Sequence, residues 1–154
     1  MNHSIEVERI IEAHGRERPA VMAILQDVQD RFNWICEDHL RQVAESLGLP
    51  LTQVYGMATF YKALSLVPRG RTIVRVCLGT ACHVRGAQLV LDELERRLEV
   101  KAGQTTPDLS HTLESVNCVG ACGMAPVVIV GGTYHPGVKP HRAGKLIERT
   151  RSRA

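Results

Sequence analysis

The sequence predicts an α/β protein in which a small helical bundle precedes a half built on a mixed sheet. Apolar residues recur with helical spacing through about the first seventy positions. After a Pro-Arg-Gly step at residues 68–70, short β-branched runs alternate with glycine-rich loops and further helical segments. We therefore predict two domains, a helical bundle over residues 1–70 and an α/β domain over residues 71–154.

Four segments of the first half have the apolar spacing of amphipathic helices. Pro19 lies where a first helical turn tolerates proline, Gly48 is placed to end a helix, and Pro50 is placed to begin the next. Helices this short are marginal alone, so we expect them to pack as a bundle. The apolar positions of the four segments are Val7, Ile10, Ile11; Val21, Ile24, Leu25, Val28, Phe32; Leu40, Val43, Ala44, Leu47; and Leu51, Val54, Tyr55, Ala58.

The second half is predicted to run strand, helix, strand, hairpin and helix, an order that gives a mixed sheet. Loops are expected over residues 77–84 and 117–125, and a glycine pair provides the turn of the hairpin. The predicted strands are residues 72–76, 112–116 and 127–130, with a short fourth strand after Gly131-Gly132. One predicted helix spans Ala87 to Leu98, and a last helix begins at about Lys139.

Composition and charge exclude several classes of protein. The chain of 154 residues is 44% hydrophobic and 23% charged, which is ordinary for globular proteins, and its net charge of +3 is too small to argue for nucleic acid. No apolar stretch approaches the roughly 20 residues of a membrane span. The N-terminal segment resembles neither a signal peptide nor a transit peptide. We expect a cytoplasmic protein with no nucleic-acid partner and no direct membrane insertion.

Five cysteines are the residues with the most distinctive chemistry, and in a reducing cytoplasm we expect ligands or redox groups rather than disulfides. Four of them form two pairs: Cys77 and Cys82 have four residues between them, and Cys118 and Cys122 have three. Each pair directly follows a predicted strand. Both pairs should therefore emerge from the same edge of the sheet, where four thiolates can converge.

Four converging thiolates suit a [2Fe-2S] cluster, which takes two soft anionic ligands per iron. Gly79, Gly86, Gly120 and Gly123 lie in or beside the same loops, and glycine lets backbone N–H groups approach the sulfurs. Cys82 also comes just before a predicted helix, whose N-terminal end favours a thiolate. A structural zinc site stays open at this point, because both spacings fall within its usual range of about two to four residues.

Other interpretations explain less of the sequence. Disulfides need an oxidising compartment, and a thioredoxin-type dithiol needs C-x-x-C, which is absent. A cysteine nucleophile paired with one of the seven histidines leaves the other paired cysteines unexplained. Cys36 stands apart and is interpreted as a small, partly buried apolar residue. A Rieske centre needs two histidine ligands, and the sequence has no second Cys-His or Cys-x-His step. His83 is therefore interpreted as a residue at a helix start or on a partner surface.

Ordered blocks around the cysteines resemble the thioredoxin-like [2Fe-2S] subunit of bacterial NADH:quinone oxidoreductase. The same family supplies small subunits to NAD-dependent and electron-bifurcating hydrogenases and to some formate dehydrogenases. The resemblance covers roughly residues 20–147. The matching blocks are Val43-Ala44 to Leu49-Pro50, VYGMATFY at 54–61, VCLGTACHVRGA at 76–87, TLESVNCVGACG at 112–123 and APVV at 125–128.

The resemblance implies a helical bundle followed by a thioredoxin-like α/β domain with a mixed sheet. It implies that Cys77, Cys82, Cys118 and Cys122 bind one [2Fe-2S] cluster, in preference to zinc. Pro126 occupies the place where thioredoxin-like folds often carry a cis proline.

The resemblance also implies an electron-transfer subunit of an NAD(P)H-linked oxidoreductase complex. The sequence contains neither a G-x-G-x-x-G motif nor a P-loop, and it offers no convincing triad, so no catalytic residue or substrate site is predicted on this chain. FMN and NAD(H) are expected on a partner subunit, because a flavin must split the two electrons of a hydride before a cluster can accept them singly. Other iron–sulfur subunits are expected partners too, and such a complex could hold the chain at the cytoplasmic face of a membrane. The alternative is a zinc-stabilised docking or regulatory module.

Two segments depart from the family's pattern, and both leave open which complex the chain belongs to. The family commonly has an Ile-Pro step at a helix start, where this chain has Ile35-Cys36. Relatives usually run Tyr-Gly-x-Leu-Thr-Pro-Glu near the C-terminus, where residues 134–142 read YHPGVKPHR and are more basic. Beyond them, the arginines of residues 149–153 are interpreted as a solvated helix end, with a docking patch for an acidic partner as the alternative.

Overall fold

The computed structural model describes residues 3–151, and the side chains of residues 3–148, as two compact units. The first ends at Pro68 and is helical, and the second begins at Arg69 and contains a four-stranded sheet. The α/β class and the mixed sheet are confirmed, whereas the division into separate domains at residue 70 stays a prediction. The arginine side chains of residues 149–153 lie outside the described part. None of the described helices is long and apolar enough to cross a bilayer.

The helical unit contains the four predicted helices. They are α1 (His3–Ala13), α2 (Val21–Phe32), α3 (Glu37–Leu47) and α4 (Leu51–Phe60). Pro19 lies in a 3₁₀ turn leading into α2, and Gly48 ends α3. The predicted apolar faces meet in one core, with a single correction: Tyr55 is exposed. The buried face of α4 is centred on Val54 and Ala58, and the next position lies about 100° further around the helix.

A histidine is buried in this core. His39 is 3% exposed, its ring packs at a tilt against those of Phe32 and His3, and its Nε2 has no hydrogen-bond partner. Its Nδ1 accepts a hydrogen bond from the Cys36 N–H at 3.4 Å. Burial lowers the pKa of His39 below its usual value, and His3 lowers it further, against the opposing charge of Asp38.

We expect the helical unit to lose stability as the pH falls below about 6.5, the usual histidine pKa. A lowered pKa in the folded state means that the unfolded chain binds the proton more readily, so protonation favours unfolding. Urea unfolding followed by circular dichroism at neutral and mildly acidic pH measures this effect. His39→Leu should remove most of the pH dependence in this range, and an unchanged dependence in that variant would contradict the assignment to His39.

The second unit is built on strands β1 (Thr72–Cys77), β2 (His111–Val116), β3 (Val128–Val130) and β4 (Thr133–His135). Its helices are α5 (Thr80–Val84), α6 (Ala87–Leu98) and α7 (Pro140–Arg151). The sheet order is β2-β1-β3-β4, with β1 parallel to β2 and the other neighbours antiparallel. Apolar residues of α6 and α7 pack with β1, β2 and β3 in one core.

This topology gathers several chain segments at one edge of the sheet. Because β1 and β2 are parallel, both carboxyl ends reach that edge, where Cys77 pairs with Val116. β3 runs the opposite way, so it begins there at Val128, and β4 returns there with His135 opposite Val128. The loops that follow β1 and β2 therefore lie side by side, as predicted for the two cysteine pairs.

One predicted loop is more ordered than expected. Cys77 is the last residue of β1, where it pairs with Val116 of β2, and its N–H donates to the Val127 carbonyl oxygen at 3.1 Å. Beyond it, Thr80–Val84 forms the short helix α5 and contains Cys82. Cys82 still comes before α6, the predicted helix, but it lies within α5 rather than in a loop.

Candidate metal centre

All four paired cysteines line one cleft of about 770 Å³ at the carboxyl edge of β1 and β2. Cys77 ends β1 and Cys82 lies in α5, and their exposed fractions are only 3% and 2%. Cys118 lies two residues beyond β2, and Cys122 begins a 3₁₀ turn. Both of these are exposed. The cleft therefore has a buried pair of thiols and an exposed pair.

The thiols lie as two pairs rather than around a single point. The Sγ atoms of Cys118 and Cys122 are 4.0 Å apart, whereas Cys77 and Cys82 are buried together in one small apolar cluster. All five cysteines are free thiols. Among the described residues, no group of three or more His, Cys, Asp or Glu side chains is arranged to hold a metal ion. Two pairs of soft donors around one cleft match the donor set of a binuclear iron–sulfur cluster.

One thiol of each pair has a pKa above its usual value. Burial raises the pKa of the Cys82 thiol, and the adjacent Cys77 thiol raises it further against a hydrogen bond with the Val127 backbone. The hydrogen bond with Cys118 raises the pKa of the Cys122 thiol. A metal ligand must be the thiolate, so a cation that binds here has to displace these protons.

Two glycines of the predicted set shape the cleft. A Cβ atom at Gly79 would collide with the backbone carbonyl oxygen of Asn117, the residue before Cys118, so the absence of a side chain lets the two cysteine loops touch. Gly120 has a φ of +76°, the left-handed region that favours glycine, and its N–H lies 3.4 Å from the Sγ of Cys118. Such an N–H donor stabilises negative charge on the sulfur.

The remaining residues singled out from the sequence lie in varied places. Cys36 is half-buried in the helical unit, at the start of α3, as its interpretation predicts. His83 is exposed in α5, beside Cys82. The Ala125–Pro126 peptide bond is cis, a point that the resemblance to thioredoxin-like folds left open.

Sequence reasoning missed one charged residue of the cleft, Arg85, which lines it and donates from Nη1 to the Ala125 carbonyl oxygen at 3.2 Å. The signal that could have found it is the distribution of charge along the chain. Residues 77–91 and 117–147 contain no Asp or Glu, so the arginine there has no acidic neighbour in sequence.

Comparisons with known proteins agree on one family. The thioredoxin-like [2Fe-2S] ferredoxin family matches residues 7–151. The NADP-reducing hydrogenase subunit HndA of Solidesulfovibrio fructosivorans is 33% identical over 92% of this chain and 83% of its own length. An NADH-quinone oxidoreductase subunit of Escherichia coli (strain K12) is 34% identical over 90% of this chain and 84% of its own.

A solved structure shares the fold at lower identity. A chain of an NAD+-reducing [NiFe]-hydrogenase, crystallised in the air-oxidized state, superimposes with a TM-score of 0.74 and 21% identity over 90% of this chain. The match spans only 24% of that hydrogenase chain, about a quarter of its length. At this identity the likeness establishes the fold alone.

Proposed function

The chain belongs to the thioredoxin-like [2Fe-2S] ferredoxin family, and on that premise we propose that Cys77, Cys82, Cys118 and Cys122 bind its [2Fe-2S] cluster. The observation that carries the proposal is the convergence of these four thiols, and no other cysteine, on one cleft. The buried pair would hold one iron and the exposed pair the other. When bound, the cluster supplies one-electron chemistry.

The residues around the thiols suit that task. The buried position of Cys77 and Cys82 excludes water from one side of the site, which protects the sulfurs and sets the local dielectric. The N–H of Gly120 stabilises charge on Cys118. The exposed pair leaves the other side open to a redox partner.

We infer that the chain is a non-catalytic electron-carrier subunit of an NAD(P)H-linked oxidoreductase complex and exchanges single electrons with the FMN of a partner subunit. The names of the relatives support this, since they are subunits of an NADP-reducing hydrogenase and of NADH-quinone oxidoreductase. The complex would include other iron–sulfur subunits and reside in the cytoplasm or at the cytoplasmic face of a membrane. Within the chain, residues 1–70 and residues 71–154 would form two domains.

The purified chain should absorb visible light and contain about two iron and two acid-labile sulfide per polypeptide, as a [2Fe-2S] cluster requires. Spectroscopy with metal and sulfide analysis measures this. A colourless protein containing zinc would instead identify the zinc-stabilised docking module and contradict the cluster.

The division of labour between subunits has its own test. The isolated chain with an intact cluster should not oxidise NADH with an artificial acceptor, because the nucleotide and flavin sites are proposed to lie on the partner. Oxidation at enzyme-like rates would show that this chain holds a substrate site and would refute the carrier role.

A further inference from the structure

We propose that the sheet edge around the cysteine cleft is a docking surface for a redox protein whose own contact surface is acidic. The inference rests on the proposed function, because a cluster exchanges electrons only with a redox group brought close to it. The docking surface is defined here as Val84, Arg85, Met124, Lys139 and Arg142, all of them exposed.

Charge is distributed unevenly along the chain, and the cysteine edge is its basic part. The two stretches that include the loops at this edge, residues 77–91 and 117–147, contain none of the 16 Asp and Glu residues. They carry Arg85, Lys139, Arg142 and Lys145. These four cations alone exceed the net charge of +3 of the entire chain, so the rest of the protein is on balance slightly acidic.

Two hydrogen bonds place Arg85 and the segment that leads into α7 beside the loop of Cys122. Arg85 follows α5 and donates to the carbonyl oxygen of Ala125 at 3.2 Å, which brings it beside the loop of Cys122. The N–H of Gly137 donates to the carbonyl oxygen of Met124 in the same loop at 2.9 Å. Lys139 follows two residues later, so the start of α7 lies at this edge. Arg85 thus lies beside the Cys122 loop, and Lys139 lies two residues from a backbone contact with that loop.

The surface also has exposed apolar residues. Val84 lines the cleft and is 81% exposed, and Met124, two residues beyond Cys122, is 46% exposed. Glu114 is the acidic residue of the adjacent strand β2, and it already pairs with Arg69 and Arg75. Exposed apolar residues within a ring of polar ones are the usual anatomy of a protein interface.

Charge complementarity identifies the partner's chemistry. A basic rim around a redox centre attracts a partner with an acidic rim, which raises the association rate and disfavours wrongly oriented encounters. Under the proposed function this partner is the flavin-containing subunit of the complex, and we infer that it carries carboxylates around the point where its redox centre comes closest to the surface.

Two matched charge reversals test the docking surface. Arg142 is the third residue of α7, and an acidic residue in a first helical turn is favourable, so Arg142→Glu should fold. The control is Arg71→Glu, an exposed position of the same unit just before β1, at the opposite edge of the sheet. Stopped-flow spectroscopy measures the rate at which the NADH-reduced flavoprotein subunit of the native complex reduces the cluster, at low and high ionic strength.

At low ionic strength, Arg142→Glu should slow the bimolecular rate by about fivefold or more, while Arg71→Glu should behave as the wild type. The difference should shrink at high ionic strength, where salt screens the charges. Equal rates in all three proteins would refute the docking surface and leave the electron-carrier role intact. A wild-type cluster that dithionite reduces but the flavoprotein does not would refute the proposed function itself.

A measurement without the partner reports the local field directly. The measured quantity is the ratio of two rates, oxidation of the reduced cluster by the anionic ferric EDTA complex over oxidation by the cationic hexaammineruthenium(III) complex. This ratio should be higher in the wild type than in Arg142→Glu. The same ratio should be unchanged in Arg71→Glu. A ratio that does not move in Arg142→Glu would show that this cation does not act at the cluster, and would overturn the proposal even if the partner were lost during purification.

Discussion

Replacing Gly79 by alanine should prevent most of the protein from assembling its cluster, although the substitution adds a single methyl group. The backbone of Gly79 has φ −56° and ψ 157°, which alanine adopts without strain. By itself, alanine would slightly stabilise such a position by restricting the unfolded chain. The new Cβ, however, would overlap the carbonyl oxygen of Asn117, a backbone atom that no change of rotamer can move.

Relief of this clash requires the two cysteine loops to separate. The neighbouring Leu78 N–H donates to the Val116 carbonyl oxygen at 2.7 Å, so separation also strains that bond. We expect a loss of about 3 kcal/mol in the free energy of unfolding, at the upper end for overpacking, and an iron content reduced about fivefold or more. Urea unfolding and iron analysis of the purified variant measure the two effects.

The matched control for this substitution is Gly123→Ala. Gly123 also borders a cysteine of the cleft, but a Cβ there would meet no protein atom within 4 Å. The control should retain both iron and stability. Equal losses in the two variants would mean that the site tolerates no methyl group anywhere, and that the contact with Asn117 is not the cause.

The parts of the fold set by local chemistry could be predicted from the sequence. The run ending at Cys77 is β-branched, and a helix separates it from the strand ending at Val116, so parallel pairing of the two strands follows from elementary topology. That pairing places both cysteine loops at one edge. The helices of the first unit follow equally well from apolar spacing, because the faces that pack together are wide and regular.

The features that were missed depend on contacts between segments distant in sequence. Cys82 is buried and Cys122 is exposed because of the way the two cysteine loops pack. Local sequence does not distinguish them, since glycine and alanine surround both cysteines. Tyr55 follows the same apolar pattern as its buried neighbours, yet its position on α4 turns it outward. The contact of Gly79 with Asn117 likewise exists only once β1 and β2 are paired.

The difference in burial predicts unequal effects of serine at the four ligand positions. Cys82→Ser should leave no visible absorption and at least about tenfold less iron, because a buried hydroxyl is a poor ligand that no water can replace. Cys77→Ser should behave in the same way. Cys122→Ser and Cys118→Ser should keep a cluster with shifted visible bands, because at an exposed position the serine oxygen or a solvent molecule can complete the coordination.

Cys36→Ser is the matched control, since it makes the same chemical change in the helical unit and should leave the spectrum unaltered. Visible absorption and iron content of the five variants separate the possibilities. Grouping by pair, with the buried pair essential and the exposed pair tolerant, is the pattern expected if each pair holds its own iron. Four equal losses would show instead that burial does not govern retention of the cluster. Loss of the spectrum in Cys36→Ser would refute the ligand assignment, because that thiol is not among the residues lining the cleft.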